Sequence, residues 1–64
     1  MSITTTKIIY NGEIKIQSRN LDAEQVFNIY KQKYSALADT GTYDVTVDGN
    51  VKTITIRTRV GQKG

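Results

Sequence analysis

The residues with the clearest chemical potential lie in positions 57–64. Arginines alternate at Arg57 and Arg59, as on one face of a strand, and a short stretch of glycine and polar residues ends on Gly64. Glycine has no Cβ, so such a tail can thread a narrow channel and present an unhindered carboxylate. A nucleotide-dependent enzyme could activate that carboxylate and join it to an amine. The alternative is a frayed, polar C-terminus that ends on a permissive residue.

The residue types that are missing exclude most other chemistry. The 64 residues include no His, Cys, Pro or Trp. The chain therefore has no imidazole base, no thiol nucleophile, no zinc cluster and no disulfide. We predict a protein that is not an enzyme and that needs no cofactor or metal. The absence of disulfides favours a reducing cytoplasm, and no apolar run approaches the ~20 residues of a membrane span.

The acidic residues indicate no site of their own. Asp44 and Asp48 flank a predicted turn without a third ligand for calcium, and Asp48 is better placed to bond the turn backbone. Glu13 and Glu24 lie on different predicted elements, without the paired spacing of acid–base catalysis. The net charge of +3 permits an acidic partner or nucleic acid without requiring either.

A first β-hairpin is predicted over residues 3–18, with strand-forming isoleucines around Asn11-Gly12. We expect a three-residue loop that pairs Ile8 with Ile14, because this register leaves no lysine on the apolar face. A two-residue loop, the alternative, would pair Ile9 with Ile14.

A second hairpin is predicted over residues 43–60, where apolar and polar residues alternate on both sides of a turn. Its expected register places Val45 opposite Ile54 and Tyr43 opposite Ile56, so that both pairs share one face. The other face of the last strand, rich in threonine and arginine, is expected to be solvated.

Between the hairpins, the spacing predicts one amphipathic helix over about residues 23 to 38. Asp22 is the predicted N-cap, Gln25 completes a capping box, and Gly41 is the predicted C-terminal turn residue. The predicted core-facing stripe consists of the apolar residues at helical spacing, Val26, Ile29, Tyr30, Tyr34 and Leu37, with Phe27 beside them.

Together these elements predict one α+β domain over residues 1–60, followed by a flexible tail at 61–64. The order is ββαββ, with one helix packed on a four-stranded mixed sheet. The helical crossover lets the first and last strands lie parallel in the centre, in the sheet order 2-1-4-3. This is the β-grasp architecture. A two-layer sandwich with another strand order is the alternative.

Four segments and Tyr30 also carry a family resemblance. The segments are Ile-Ile-Tyr-Asn-Gly at 8–12, Leu-Asp-Ala-Glu-Gln-Val at 21–26, Tyr-Ser-Ala-Leu-Ala at 34–38 and Val-Gly-Gln-Lys-Gly at 60–64. In this order they resemble protein C of the PRTRC plasmid-type gene system, a family grouped with prokaryotic ubiquitin-like proteins. The chain departs from the family pattern at residues 8, 22–23, 35–36 and 62, and it lacks the terminal di-glycine of the best-known ubiquitin-like modifiers.

The resemblance implies a bacterial ubiquitin-like protein modifier. Gly64 would be activated by an E1-like, adenylating (ThiF-type) enzyme, passed to an enzyme cysteine as a thioester and conjugated to a target. A JAB-type metalloprotease is a further implied partner, and a homo-oligomer is compatible. The residues implied to contact the activating enzyme are the threading tail, Gly61, Gln62 and Lys63, and the docking pair, Arg57 and Arg59.

Two functions of other classes stay open. A nucleic-acid-binding module could follow a phosphate backbone with basic residues of the last strand and tail, although the exposed face shows Thr53 and Thr55 where an RNA-reading sheet displays aromatics. A self-assembling module could pair the free edges of its sheet. The basic residues in question are Lys52, Arg57, Arg59 and Lys63.

Overall fold

The computed structural model describes residues 2–58. Within them, two hairpins flank two helices, which confirms the predicted α+β class and the four-stranded mixed sheet. The tail at 61–64, Arg59 and the domain boundary at residue 60 lie outside the described residues. The elements are β1 (Thr5–Tyr10), β2 (Glu13–Gln17), α1 (Ala23–Lys33), α2 (Ala36–Thr40), β3 (Gly41–Asp48) and β4 (Val51–Thr58).

The strands are ordered β2-β1-β4-β3, the predicted order 2-1-4-3. The central pair, β1 and β4, is parallel, whereas β1 with β2 and β3 with β4 are antiparallel hairpins. Parallel neighbours need a long crossover, and the segment that contains α1 and α2 provides it. Ile8 lies beside Ile54 and Tyr10 beside Ile56 in the central pair. These residues point toward the helices.

The predicted register of the first hairpin is wrong. The loop has two residues, and Ile9, not Ile8, lies opposite Ile14. Both loop residues have positive φ, 53° at Asn11 and 83° at Gly12. This is the type I′ pattern, whose twist matches that of the flanking strands, so the turn geometry decides the register. The shift moves the isoleucines of β2 to the sheet face opposite the helices.

The prediction of a single helix over residues 23 to 38 is also wrong, because the helix is interrupted at Tyr34. This residue is extended, with φ −125° and ψ 106°, and ends α1. Its ring packs on that of Tyr10, with 4.8 Å between centroids, and the short helix α2 then buries Leu37. Tertiary packing therefore overrides the local helical pattern.

The predicted ends of the helical region are partly right. Asp22 is the N-cap of α1, but its side chain makes no capping hydrogen bond, so the capping box is absent. Gly41 follows α2 as its C-cap with φ −74° and ψ 147°, which is extended rather than left-handed. Gly41 therefore ends the helical region as predicted, but it does not adopt the left-handed conformation of a C-terminal glycine turn.

The second hairpin has the predicted pairs, Val45 opposite Ile54 and Tyr43 opposite Ile56. Its loop is formed by Gly49 and Asn50, and Gly49 has φ 67°. A glycine with positive φ at the first loop position is typical of type II′ turns.

The core lies between the helices and the facing side of the central strands. Its buried members are Ile8, Val26, Leu37, Ile54 and Ile56. Six partly buried side chains surround them: Tyr10, Leu21, Ala23, Phe27, Tyr30 and Tyr43. The sheet face opposite the helices, which we call the open face, has no covering layer within residues 2–58.

Candidate interaction surfaces

Arg57 is the one predicted site residue that the structure describes. It lies on the open face near the end of β4, and its Nη2 atom donates to Oδ2 of Asp44 on β3 at 2.6 Å. Both side chains are more than half exposed, at 62% and 57%. Such an ion pair contributes little stability in water, so Arg57 can exchange Asp44 for the carboxylate of a partner. Arg59, Gly61, Gln62, Lys63 and Gly64 lie outside the described residues.

The basic residues of β4 do not form one stripe in the described part of the strand. Side chains alternate between the two faces of a strand, so Lys52 shares the helix side with Ile54, whereas Arg57 is on the open face. The two cations therefore cannot follow the same phosphate backbone along one sheet face.

A groove of about 370 Å³ lies between β2 and α1. Its apolar lining includes Ile8, Val26 and Ile29, of which Ile29 is 56% exposed although the helical pattern assigned it to the core. Three cations and one carboxylate also line the groove: Lys15, Arg19, Lys33 and Asp22. This combination suits an anionic ligand that also carries an apolar part. Sequence reasoning missed the groove because the wrong hairpin register hid Lys15 from this side.

An apolar patch lies on the open face at the β2 edge. Ile14 and Ile16 are 58% and 63% exposed, and the half-buried Ile9 lies directly opposite Ile14 on β1. The sequence interpretation placed Ile14 on the buried side. The signal that could have revealed the patch was Asn11-Gly12, because this dipeptide favours a two-residue loop.

Three tyrosines close one end of the core on the helix side of the sheet. The ring of Tyr10 lies 5.5 Å from that of Tyr30 and 4.8 Å from that of Tyr34. Protein sheets that read RNA stack bases on exposed aromatic side chains. These rings instead pack on one another, and no aromatic side chain of residues 2–58 lies on the open face.

The described residues hold neither a metal-ligand cluster nor a membrane-length helix. No group of three or more potential ligand side chains in residues 2–58 is arranged to hold a metal ion. No helix in the same range has the length and apolar character needed to cross a membrane. The features on which a function can be built are therefore the groove, the open face and the exposed sheet edges.

Comparison of the chain with protein-family models, with curated proteins and with solved structures gives no significant match.

Proposed function

We propose that the chain is a β-grasp protein that acts as a bacterial ubiquitin-like modifier, with Gly64 as the residue that reacts. The observation that carries this proposal is the strand order β2-β1-β4-β3, with a parallel central pair between two antiparallel hairpins. Within residues 2–58, helices pack on one side of that sheet and leave the other side uncovered. This arrangement supports a β-grasp fold, and the resemblance to PRTRC protein C supports the modifier role.

The proposed chemistry needs only a main-chain carboxylate from this chain. The Gly64 carboxylate attacks the α-phosphorus of ATP, which releases pyrophosphate and leaves an acyl adenylate. A cysteine thiolate of the ThiF-type enzyme then displaces AMP to form a thioester. The amine of a target attacks the thioester, forms an amide and releases the enzyme thiol. The absence of Cys from the chain fits this role, because every sulfur in the sequence of steps belongs to a partner.

Arg57 is the docking residue that the proposal can use directly. It lies near the end of β4, it is exposed, and its only ion pair within residues 2–58 is the solvent-accessible one with Asp44. An acidic groove on the activating enzyme can take over this contact with little loss of stability in the free protein. The charge of Arg57 would also accelerate encounter with an acidic enzyme surface.

The test combines the purified protein with ATP and the ThiF-type enzyme encoded beside it. Intact-mass measurement should detect the adenylate or a covalent enzyme adduct, and deletion of Gly64 should abolish both. No adduct, or an adduct that survives the deletion, would contradict the proposed chemistry.

A matched pair of variants tests the docking role in the same assay. Arg57→Gln should slow adduct formation roughly tenfold, which corresponds to the loss of ~1.4 kcal/mol of binding. Asp44→Asn removes the competing carboxylate and keeps Arg57, so the rate should stay the same or rise. If both variants form the adduct at the same rate as the unchanged protein, Arg57 does not take part in docking.

A further inference from the structure

Strand β2 is an open edge of the sheet. It pairs with β1 on one side, has no neighbour on the other among residues 2–58, and all five of its residues are exposed. The pair Tyr10–Glu13 closes the type I′ turn and is hydrogen bonded, and hydrogen-bonded pairs alternate along an antiparallel hairpin. The N–H and C=O groups of Ile14 and Ile16 therefore point away from β1, toward the free edge. An edge of this kind is a template for another strand.

We propose that a second copy of this chain occupies the edge, with β2 antiparallel to the partner's β2 across a two-fold axis. Pairing with the other edge strand, β3, is less favourable. On the open face, β3 presents Asp44 and Asp48, which would lie among the exposed isoleucines of β2. A β2–β2 junction instead places isoleucines beside isoleucines. It is also closed by its symmetry, because each copy uses its one β2 edge.

The charges on β2 select one register for this junction. The isoleucines stay on the open face in registers centred on Ile14, Lys15 or Ile16. A centre at Lys15 places two like charges directly opposite, which is destabilising. A centre at Ile16 places Lys15 opposite the partner's Gln17, without a charge pair in the strand. A centre at Ile14 places Glu13 opposite the partner's Lys15 and, by symmetry, forms that pair twice.

The same register joins the apolar patches of the two copies. Ile14 lies opposite the partner's Ile14 on the open face, and Ile9 flanks the pair on each side. The row of four isoleucines removes from water a side chain that is 58% exposed in the single chain. In this register only residues 13–15 of each β2 lie opposite β2 of the other copy. So short an edge buries far less than a stable dimer interface, and the dimer should therefore be weak and concentration-dependent, with a Kd of about 10 µM to 1 mM.

Sedimentation equilibrium at concentrations up to about 1 mM tests the dimer through charge exchange. Glu13→Lys alone and Lys15→Glu alone each replace two attractive pairs with two repulsive ones and should weaken association roughly fivefold or more. An equimolar mixture of these two variants should restore it, because positions 13 and 15 are then both basic in one chain and both acidic in the other. The double variant Glu13→Lys/Lys15→Glu should also associate like the unchanged chain.

Two further variants locate the contact. Ile14→Thr should weaken association several-fold, whereas Val47→Thr, at an equally exposed position on the β3 edge, should leave it unchanged. All substituted side chains are exposed, and circular dichroism verifies that each variant folds.

Three results would overturn the proposal. A monomer throughout the concentration range would show that the edge is not occupied by a second copy. Association unaffected by the single charge changes, or a mixture that fails to restore it, would place the contact elsewhere. The readout is non-covalent mass, so it is independent of Gly64 and of any activating enzyme.

Discussion

At the scale of single residues, Thr6 is the one buried polar residue within residues 2–58. Thr6 is fully buried on β1. Its Oγ1 donates to the carbonyl of Arg19 at 2.7 Å and accepts from the N–H of Leu21 at 3.0 Å. One side chain therefore satisfies two main-chain groups of the segment that leads from β2 into α1. The hydroxyl fixes the start of α1 against the sheet.

Thr6→Val keeps the shape of the side chain but removes both hydrogen bonds. We expect the free energy of unfolding to fall by about 1–3 kcal/mol, because two main-chain groups lose their partner. Urea denaturation measures the change. Thr6→Ser keeps the hydroxyl and should lose only about 0.8 kcal/mol for the missing methyl group. A valine variant as stable as the serine variant would contradict the bonding role of Thr6.

At the scale of elements, the junction of α2 and β3 depends on the absence of a side chain at Gly41. Its φ of −74° is open to any residue, so backbone strain does not explain the glycine. A Cβ placed there would clash with the carbonyl oxygen of Leu37 and lie 3.0 Å from its Cα. Leu37 is almost fully buried and cannot move away. Close packing therefore requires glycine at this position.

Gly41→Ala should reduce the free energy of unfolding by about 1–3 kcal/mol, the usual cost of overpacking. Thermal or urea denaturation provides the measurement. The neighbouring exposed change Thr40→Ser keeps the hydroxyl that donates to the carbonyl of Ala36. It is the matched control and should stay within about 0.5 kcal/mol of the unchanged chain. If the two variants are equally stable, the clash at Leu37 does not govern this junction.

The elements also show where sequence reasoning reaches its limit. The register of the second hairpin was predictable, because a shift by one residue would move Val45 and Ile54 to opposite faces of the sheet. The same argument failed in the first hairpin, since it assumed that isoleucines on β2 must be buried. The open face has no covering layer within residues 2–58, so Lys7 can lie opposite Ile16 without its charge being buried. Local turn geometry, rather than burial, therefore set that register.

The break between α1 and α2 could not be predicted from helical periodicity. Tyr34 fits the helical stripe as well as Val26 does. What ends α1 is the packing of Tyr34 on Tyr10, a residue far away in the sequence that only the folded sheet brings close. The candidate surfaces were missed for a related reason, because the groove and the patch both follow from the hairpin register. The proposed reaction at Gly64, by contrast, rests on residue types and on the family resemblance.

At the scale of the whole molecule, the basic residues within 2–58 lie on both sides of the sheet, with more of them on the helix side. The groove between β2 and α1 contains Lys15, Arg19 and Lys33, on the side where the helices pack. Lys52 shares that side, whereas Arg57 lies on the open face beside Asp44. Proteins that bind nucleic acid usually gather such charges on one face or along one element. Arg57 is therefore separated by the sheet from the cations of the groove, and the two sets do not form one path for a phosphate backbone.

This distribution predicts that the chain binds DNA and RNA only non-specifically. At physiological salt we expect a Kd no tighter than about 10⁻⁴ M for a duplex or a single strand, the weak end of non-specific binding. In a plot of the logarithm of the binding constant against the logarithm of the salt concentration, the slope should be no steeper than about −3. The largest group of described cations, in the groove, has three members, and each phosphate contact contributes about −0.9. Fluorescence anisotropy with labelled oligonucleotides across a salt series measures both quantities. Asp44→Asn frees Arg57 and should steepen the slope by no more than about 0.9, the contribution of one phosphate contact. Arg57→Gln should not steepen it. The contrary result would be micromolar binding with a slope steeper than about −4, and a shallower slope for Arg57→Gln. That result would require a continuous path for phosphates that includes the open face, and it would favour the nucleic-acid function over the modifier function.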